Sequence, residues 1–173
     1  MASIIPLDAV DPELVEQLLD ESFGEDRKAR TAYRIREGCH WLEGLSFAAL
    51  DDDDYLAATI QLWPVALATP EGRGHPLLMV GPVAVMPGLQ GQGYGKALMA
   101  ASLGAIDAMA RDRAKPLPQV LIGDPEYYGN WGFTAEHTGN WHCPGPFERE
   151  RLLLRCENPA VLPDEGMLGP WAG

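Results

Sequence analysis

The chain has 173 residues, 46% of them apolar and 22% charged, with a formal net charge of −12 at pH 7. That length suits one compact domain with its own core, so a single domain is expected over residues 1–173, ending in a tail at 157–173. The negative charge argues against a nucleic-acid binder, which needs a basic stripe to release phosphate counterions.

Three cysteines (Cys39, Cys143 and Cys156), odd in number and far apart, do not make a disulfide framework, and reduced thiols are expected. The N-terminal "MASIIPLDAVDPELVEQ" has no basic stretch followed by an apolar one, and no apolar run is long enough to span a bilayer. The expectation is a cytoplasmic protein without a membrane partner.

Ser3 to Leu7, short and rich in isoleucine, predicts a strand. Asp11 then caps a helix with Pro12 in its favoured first turn, and Leu14, Val15, Leu18 and Leu19 fall at helical spacing on one face. Residues 26–37 predict a second, more basic helix with Ala29, Tyr33 and Ile35 on its thinner apolar side. Two apolar runs, 45–50 and 55–67, flank "DDDD" (Asp51 to Asp54) and predict an antiparallel hairpin. The four aspartates lack the alternation, glycine and distant glutamate of a calcium loop, so a solvated turn is expected there.

Gly and Pro mark 69–76 as a loop. The nearly continuous apolar run 77–85 predicts a strand covered on both faces, with Gly81-Pro82 as a bulge or an edge-facing position. Good helix formers follow from Gly95 to Arg113. Residues 118–124 predict a strand, 125–133 a short helix ended by Gly132, and 149–156 a late strand; the tail after it reads as loop. The order is β-α-α-β-β-β-α-β-α-β, one mixed α/β domain.

The stretch "PGLQGQGYGKALM" (Pro87 to Met99) puts Gly91, Gly93 and Gly95 at the junction of a strand and a helix. A helix start offers free N–H groups and partial positive charge, and glycines let the backbone come close to a ligand, so the junction is suited to phosphate. A Walker loop needs glycine at 90 and Ser or Thr at 97, where the chain has Gln90 and Ala97. A dinucleotide fingerprint needs a third glycine where Lys96 stands. What matches is Q-x-x-G-x-G at Gln90, Gly93 and Gly95, just after V-x-V-x-P.

This resembles the acetyl-coenzyme A signature of the GNAT (Gcn5-related) N-acetyltransferase superfamily. "YYGNWGF" is similar to that family's later Y-x-x-x-G-F element, with Tyr128, Gly132 and Phe133 at the right spacing. The likeness extends to about Phe133 and is greatest to the bacterial YhbS-like branch. It implies a GNAT-like mixed α+β fold: a mostly antiparallel central sheet with one parallel, splayed strand pair, flanked by helices.

It also implies acetyl-CoA as co-substrate and a primary amine of a small molecule, peptide or protein as acceptor. Val83, Ala84 and Val85 should border the pantetheine arm. Gln90, Gly91, Gln92, Gly93, Tyr94, Gly95 and Lys96 should surround the pyrophosphate, mainly through main-chain donors. A backbone N–H near Val85 is the natural oxyanion donor, and Tyr128 stands where the family has its general acid.

Each residue also has a plainer role open to it. The valines suit core packing, Lys96 a solvated first turn, and Tyr94 and Tyr128 half-buried packing. The general base is not identified: the strand 77–85 has no carboxylate, and Asp124, Glu126, Glu21, His75 and a water chain stay open. His40 beside Cys39 and His142 beside Cys143 lack ordinary zinc-finger spacing, so no metal is expected. The acceptor side is assigned to residues 24–44, 139–147 and the tail, with Trp41, Trp131 and Trp141 as pocket walls or core. A non-catalytic acyl-CoA sensor, a transferase of longer acyl groups and a homodimer remain alternatives.

Overall fold

The computed structural model describes residues 3–110 and 116–171. In chain order they form β1 (Ser3–Pro6), α1 (Pro12–Phe23), α2 (Thr31–Ile35), β2 (Phe47–Leu50), β3 (Leu56–Ala68), β4 (Gly74–Val85) and α3 (Tyr94–Ala110). Then come β5 (Gln119–Ile122), α4 (Pro125–Gly129), β6 (Asn140–His142), β7 (Leu152–Arg155) and β8 (Glu165–Pro170). The strands hydrogen-bond in the order β1-β2-β3-β4-β5-β7; β8 joins β3, and β6 joins β8.

The pairs β1–β2, β2–β3, β3–β8 and β5–β7 are antiparallel and β4–β5 is parallel, as the expected fold requires. A second, short parallel pair, β6–β8, adds to it. The β4–β5 ladder covers only Leu78 with Gln119 and Met79 with Val120, and β4 runs on past it to Val85.

Contacts divide the chain into two compact units. The first comprises Met1–Lys28, Trp41–Leu62 and Val80–Pro116. Helix α1 starts there because Asp11 Oδ1 accepts the Glu13 N–H at 3.0 Å and Pro12 fits the first turn; it stops at Gly24, whose φ of +93° few other residues adopt. Val15, Leu18 and Leu19 of α1 pack with Leu7, Ala48 and Ala84, and burying each large side chain contributes about 1.5–3 kcal/mol. The buried Arg27 pairs with Glu16 and Asp20 of the same helix. In α3, Leu98, Met99, Leu103 and Ile106 are buried, and the Ser102 hydroxyl donates to the Leu45 carbonyl at 2.7 Å.

The second unit comprises Ala29–His40, Trp63–Met79 and Leu117–Gly173. Its core gathers Ile35, Val65, Leu67, Leu77, Met79, Val120, Leu152, Leu154 and Leu168 around Trp141. Arg149 Nη1 donates to the carbonyls of Thr138, Gly139 and Trp141 at 3.0, 2.6 and 2.9 Å, closing the turn before and through β6. Thr31 and Arg34 of α2 donate to the carbonyls of Pro146 and Pro144, so the two stretches expected to shape the acceptor side meet within this unit.

Several expectations change. Residues 26–37 do not form one helix: a single 3-10 turn, Arg27–Ala29, is separated from α2 by extended Arg30. The pull of Glu16 and Asp20 on Arg27 holds the first part against α1. Leu14 is 47% exposed and lies off the buried face of α1. The strand expected at 149–156 shortens to β7, because Arg149–Arg151 form a 3-10 turn in which the Arg149 side chain bonds the carbonyls of Thr138, Gly139 and Trp141.

The tail is not all loop, since β8 lies in it, and β6 forms inside the expected loop 139–147. The loop expected at 69–76 is shorter, since β4 begins at Gly74. The last residues expected in α3, Arg111 to Arg113, lie outside the described residues. "DDDD" is a turn, with Asp51 Oδ1 accepting the N–H groups of Asp53 and Tyr55. The Gly81-Pro82 peptide inside β4 is cis. Among the described residues no helix is long and apolar enough to cross a membrane.

Candidate functional site

In the first unit, β4 ends at Val85 and the chain turns through Pro87–Gly93 into α3. Gly91 and Gly93 have φ of +81° and +89°, and no atom lies within 4 Å of a Cβ built on either. The glycines are therefore required by backbone conformation rather than by crowding from the protein itself. Gly95 is instead the second residue of α3. The first bond into the helix is from the Ala97 N–H to the Gly93 carbonyl at 3.0 Å.

Among the described residues, the N–H groups from Gln90 to Lys96 donate to no backbone carbonyl. A consecutive run of free donors at the positive end of a helix is the arrangement that holds linked phosphates. Gln90, Gly91, Gln92, Gly93 and Lys96 are exposed, whereas Tyr94 and Gly95 are half-buried.

At the end of β4, Ala84 is buried in the core with α1, and Val83 and Val85 are half-buried. The Ser22 hydroxyl of α1 donates to the Val85 carbonyl at 3.2 Å. This bond fixes the strand end against the helix, and nothing in the sequence marks Ser22 for it. The structure thus brings Val83–Val85 and Gln90–Lys96 together in one unit.

Tyr128 lies in the second unit, on α4. Asp124 caps this short helix, its Oδ1 accepting the Glu126 N–H at 3.0 Å, and Pro125 opens it. Gly132, at φ +90°, ends the turn that follows. The Tyr128 ring meets Tyr127 edge-on at 4.9 Å and Phe133 at 6.2 Å. A Cβ on Gly123 would come within 2.5 Å of the ring, so Gly123 is the seat on which Tyr128 rests.

Burial pushes the Tyr128 phenol up to about 12, assisted by Tyr127 and Asp124 and opposed by Arg151. At neutral pH the phenol keeps its proton.

The candidate bases are not resolved by position. Asp124 is engaged as a cap, Glu21 and Glu126 are exposed on helices, and His75 is half-buried on β4. Trp141 is fully buried and donates its Nε1–H to the Pro163 carbonyl at 3.2 Å, so it is core rather than an open wall. The Cys39 thiol donates to the Pro64 carbonyl. Burial raises the Cys143 thiol to about 11, which keeps it protonated and unreactive. Among the described residues no three His, Cys, Asp or Glu side chains gather in a way that could hold a metal ion. A groove of about 530 Å³ opens in the second unit between 136–141 and 158–164; residues of the stretch 139–147 and of the tail, both expected on the acceptor side, line it, and none of Val83–Val85, Gln90–Lys96 or Tyr128 does.

Residues 3–135 match the family model of the acetyltransferase (GNAT) domain. No curated protein sequence matches the chain. Among solved structures, it is similar to the GNAT-family N-acetyltransferase YhbS of Escherichia coli, solved in complex with CoA, at 22% identity and a TM-score of 0.72 over 98% of this chain and 89% of that one. It is also similar to a GNAT-family acetyltransferase of Brucella melitensis, solved with acetyl-CoA, at 23% identity and a TM-score of 0.59 over 99% and 97% of the two chains. With the signature at Gln90–Gly95, the strand–turn–helix that carries it and a family match over most of its length, the chain belongs to the GNAT acetyltransferase family.

Proposed function

We propose that the protein transfers the acetyl group of acetyl-CoA to a primary amine of a small molecule, peptide or protein by direct attack, with residues 1–173 acting as one domain. The observation that carries this is the run of unpaired N–H groups from Gln90 to Lys96, opening α3 directly after β4. A pyrophosphate fits such a run by charge and geometry. The open space at Gly91 and Gly93 lets it approach the backbone. Strands β3 and β4 each run through both compact units, which supports the single domain. The two related structures solved with CoA or acetyl-CoA support the choice of co-substrate.

The chemistry asks for three things: the thioester held in place, charge stabilised on its oxygen, and a proton for the leaving sulfur. In this proposal the amides of Gln90–Lys96 anchor the pyrophosphate, Lys96 adds charge, and Val83–Val85 border the pantetheine arm by strand-like bonding. An N–H near Val85 steadies the oxyanion. Tyr128 serves the leaving sulfur. Its phenol, held near 12, is a weaker acid than a thiol of ordinary pKa (about 8.5), so it stabilises the thiolate by hydrogen bonding more than by completed transfer.

The net charge of −12 favours a cationic acceptor. Calorimetry of the ligand-free protein with CoA and acetyl-CoA tests the anchor, and absence of binding overturns the proposal. A screen of amines with acetyl-CoA, followed by thiol release, then tests transfer. Tyr128→Phe is expected to keep CoA affinity and lose about a hundredfold or more in turnover; unchanged turnover removes Tyr128 from the mechanism.

A further inference from the structure

Strand β3 carries two buried polar side chains, Thr59 and Gln61, at 0% and 3% exposure. Among the described residues, neither Thr59 Oγ1 nor Gln61 Oε1 has a hydrogen-bond partner. Both belong to the first unit. Thr59 pairs directly with Ala48 across β2–β3, and directly paired residues share a face. Ala48 packs against Val15, Leu18 and Leu19 of α1, so Thr59 faces α1, and Gln61 follows it by the two-residue alternation of a strand. Of the strand residues in this cluster, Ala48 and Ala84 have short side chains, while Leu56 and Met86 pack at its edge. Two adjacent oxygens left unpaired under a helix are costly unless something donates to them.

We propose that Thr59 and Gln61 hold an internal water between β3 and α1. The oxygens ask for a hydrogen-bond donor. Both residues are neutral, and an ion there would be desolvated without a counter-charge, so the donor is a small neutral molecule, which is water. The site lies close to the end of β4: the Met86 N–H donates to the Ala57 carbonyl at 2.8 Å, two residues before Thr59. Neither β3 nor β4 carries a carboxylate, so the water places an exchangeable proton carrier on an otherwise apolar face.

The test is a double-mutant cycle on the ligand-free protein, with Thr59→Val and Gln61→Met made singly and together and thermal unfolding as the readout. Each single change leaves the water and the other oxygen short of a partner, so the midpoint falls by about 3–8 °C, and the pair loses less than the sum. Single changes that raise the midpoint or leave it unaltered, with an additive pair, overturn the proposal.

Thr59→Ser keeps the hydroxyl and is expected to fold with a smaller loss than Thr59→Val; an equal loss also overturns it. A crystal structure of the unaltered protein that resolves ordered solvent should show a water bonded to both oxygens, and its absence from such a map counts equally against the site. Calorimetry with CoA separates this from the acetyl-transfer proposal. A protein that binds no CoA loses that function, while the cycle still decides the water.

Discussion

The turn from Pro87 to Lys96 and the segment from Gly139 to Pro170 are both rich in glycine and proline, and both suggest loop at first sight. They are organised by opposite means. In the turn, order is local: Gly91 and Gly93 take positive φ, and a run of helix formers begins at once. In the second segment, order comes from afar. β8 exists because β3 and β6 accept it, and Gly166 sits so close that a Cβ there would meet the Ala68 carbonyl at 2.8 Å. Arg149 fastens the backbone before β7 to carbonyls up to eleven residues earlier. Glycine thus serves backbone conformation in one region and close packing in the other.

Substitution can break that contrast. Gly91→Val and Gly93→Val force a branched side chain into positive φ, where strain costs about 1–3 kcal/mol, so CoA affinity should fall about tenfold to a hundredfold by calorimetry. Gly93→Asn, which tolerates that conformation, should lose far less; equal losses would mean that space rather than φ decides. Gly166→Ala should leave CoA affinity alone and lower the unfolding midpoint by about 3–10 °C, the cost of overpacking a closed site.

A smaller effect is expected at alkaline pH. Tyr128 is held at about 12, above the ordinary 10, so the folded chain keeps a proton that the unfolded chain gives up. That stabilisation is complete below pH 10 and is lost as pH rises from 10 towards 12. Tyr128→Phe should flatten this part of the stability curve, and an unchanged slope would place its cause elsewhere. Smallest of all, Lys96→Ala should weaken CoA about two- to fivefold, and less at high salt, because the side chain is exposed.

The same contrast explains what could be read in advance. Asp11 with Pro12, the aspartate turn, the glycine turn and the start of α3 all follow from rules that act within a few residues, and all are found in the structure. The spacing of Tyr128 and Phe133 is plain in the sequence, whereas the edge-on meeting of their rings at 6.2 Å is seen only in the structure. Strands β6 and β8 were not legible, because their sequences lack apolar alternation and their partners lie far along the chain. The break at Arg30 escaped for a similar reason, since it depends on Glu16 and Asp20 reaching Arg27. Ser22, Thr59 and Gln61 are ordinary polar residues whose importance arises only from where the folded chain leaves them.

The raised phenol has one more consequence. If Tyr128 serves the leaving sulfur as proposed, a phenol that keeps its hydrogen across every pH a cell experiences contributes no titration to the rate there. In the proposed reaction, sensitivity to acidity would then come from the acceptor amine or from the group that takes its proton: strongly basic acceptors, mostly protonated, would speed up as the medium turns alkaline, whereas weakly basic ones would hardly notice. The rate profile would therefore report the acceptor and the base that serves it rather than the state of the phenol.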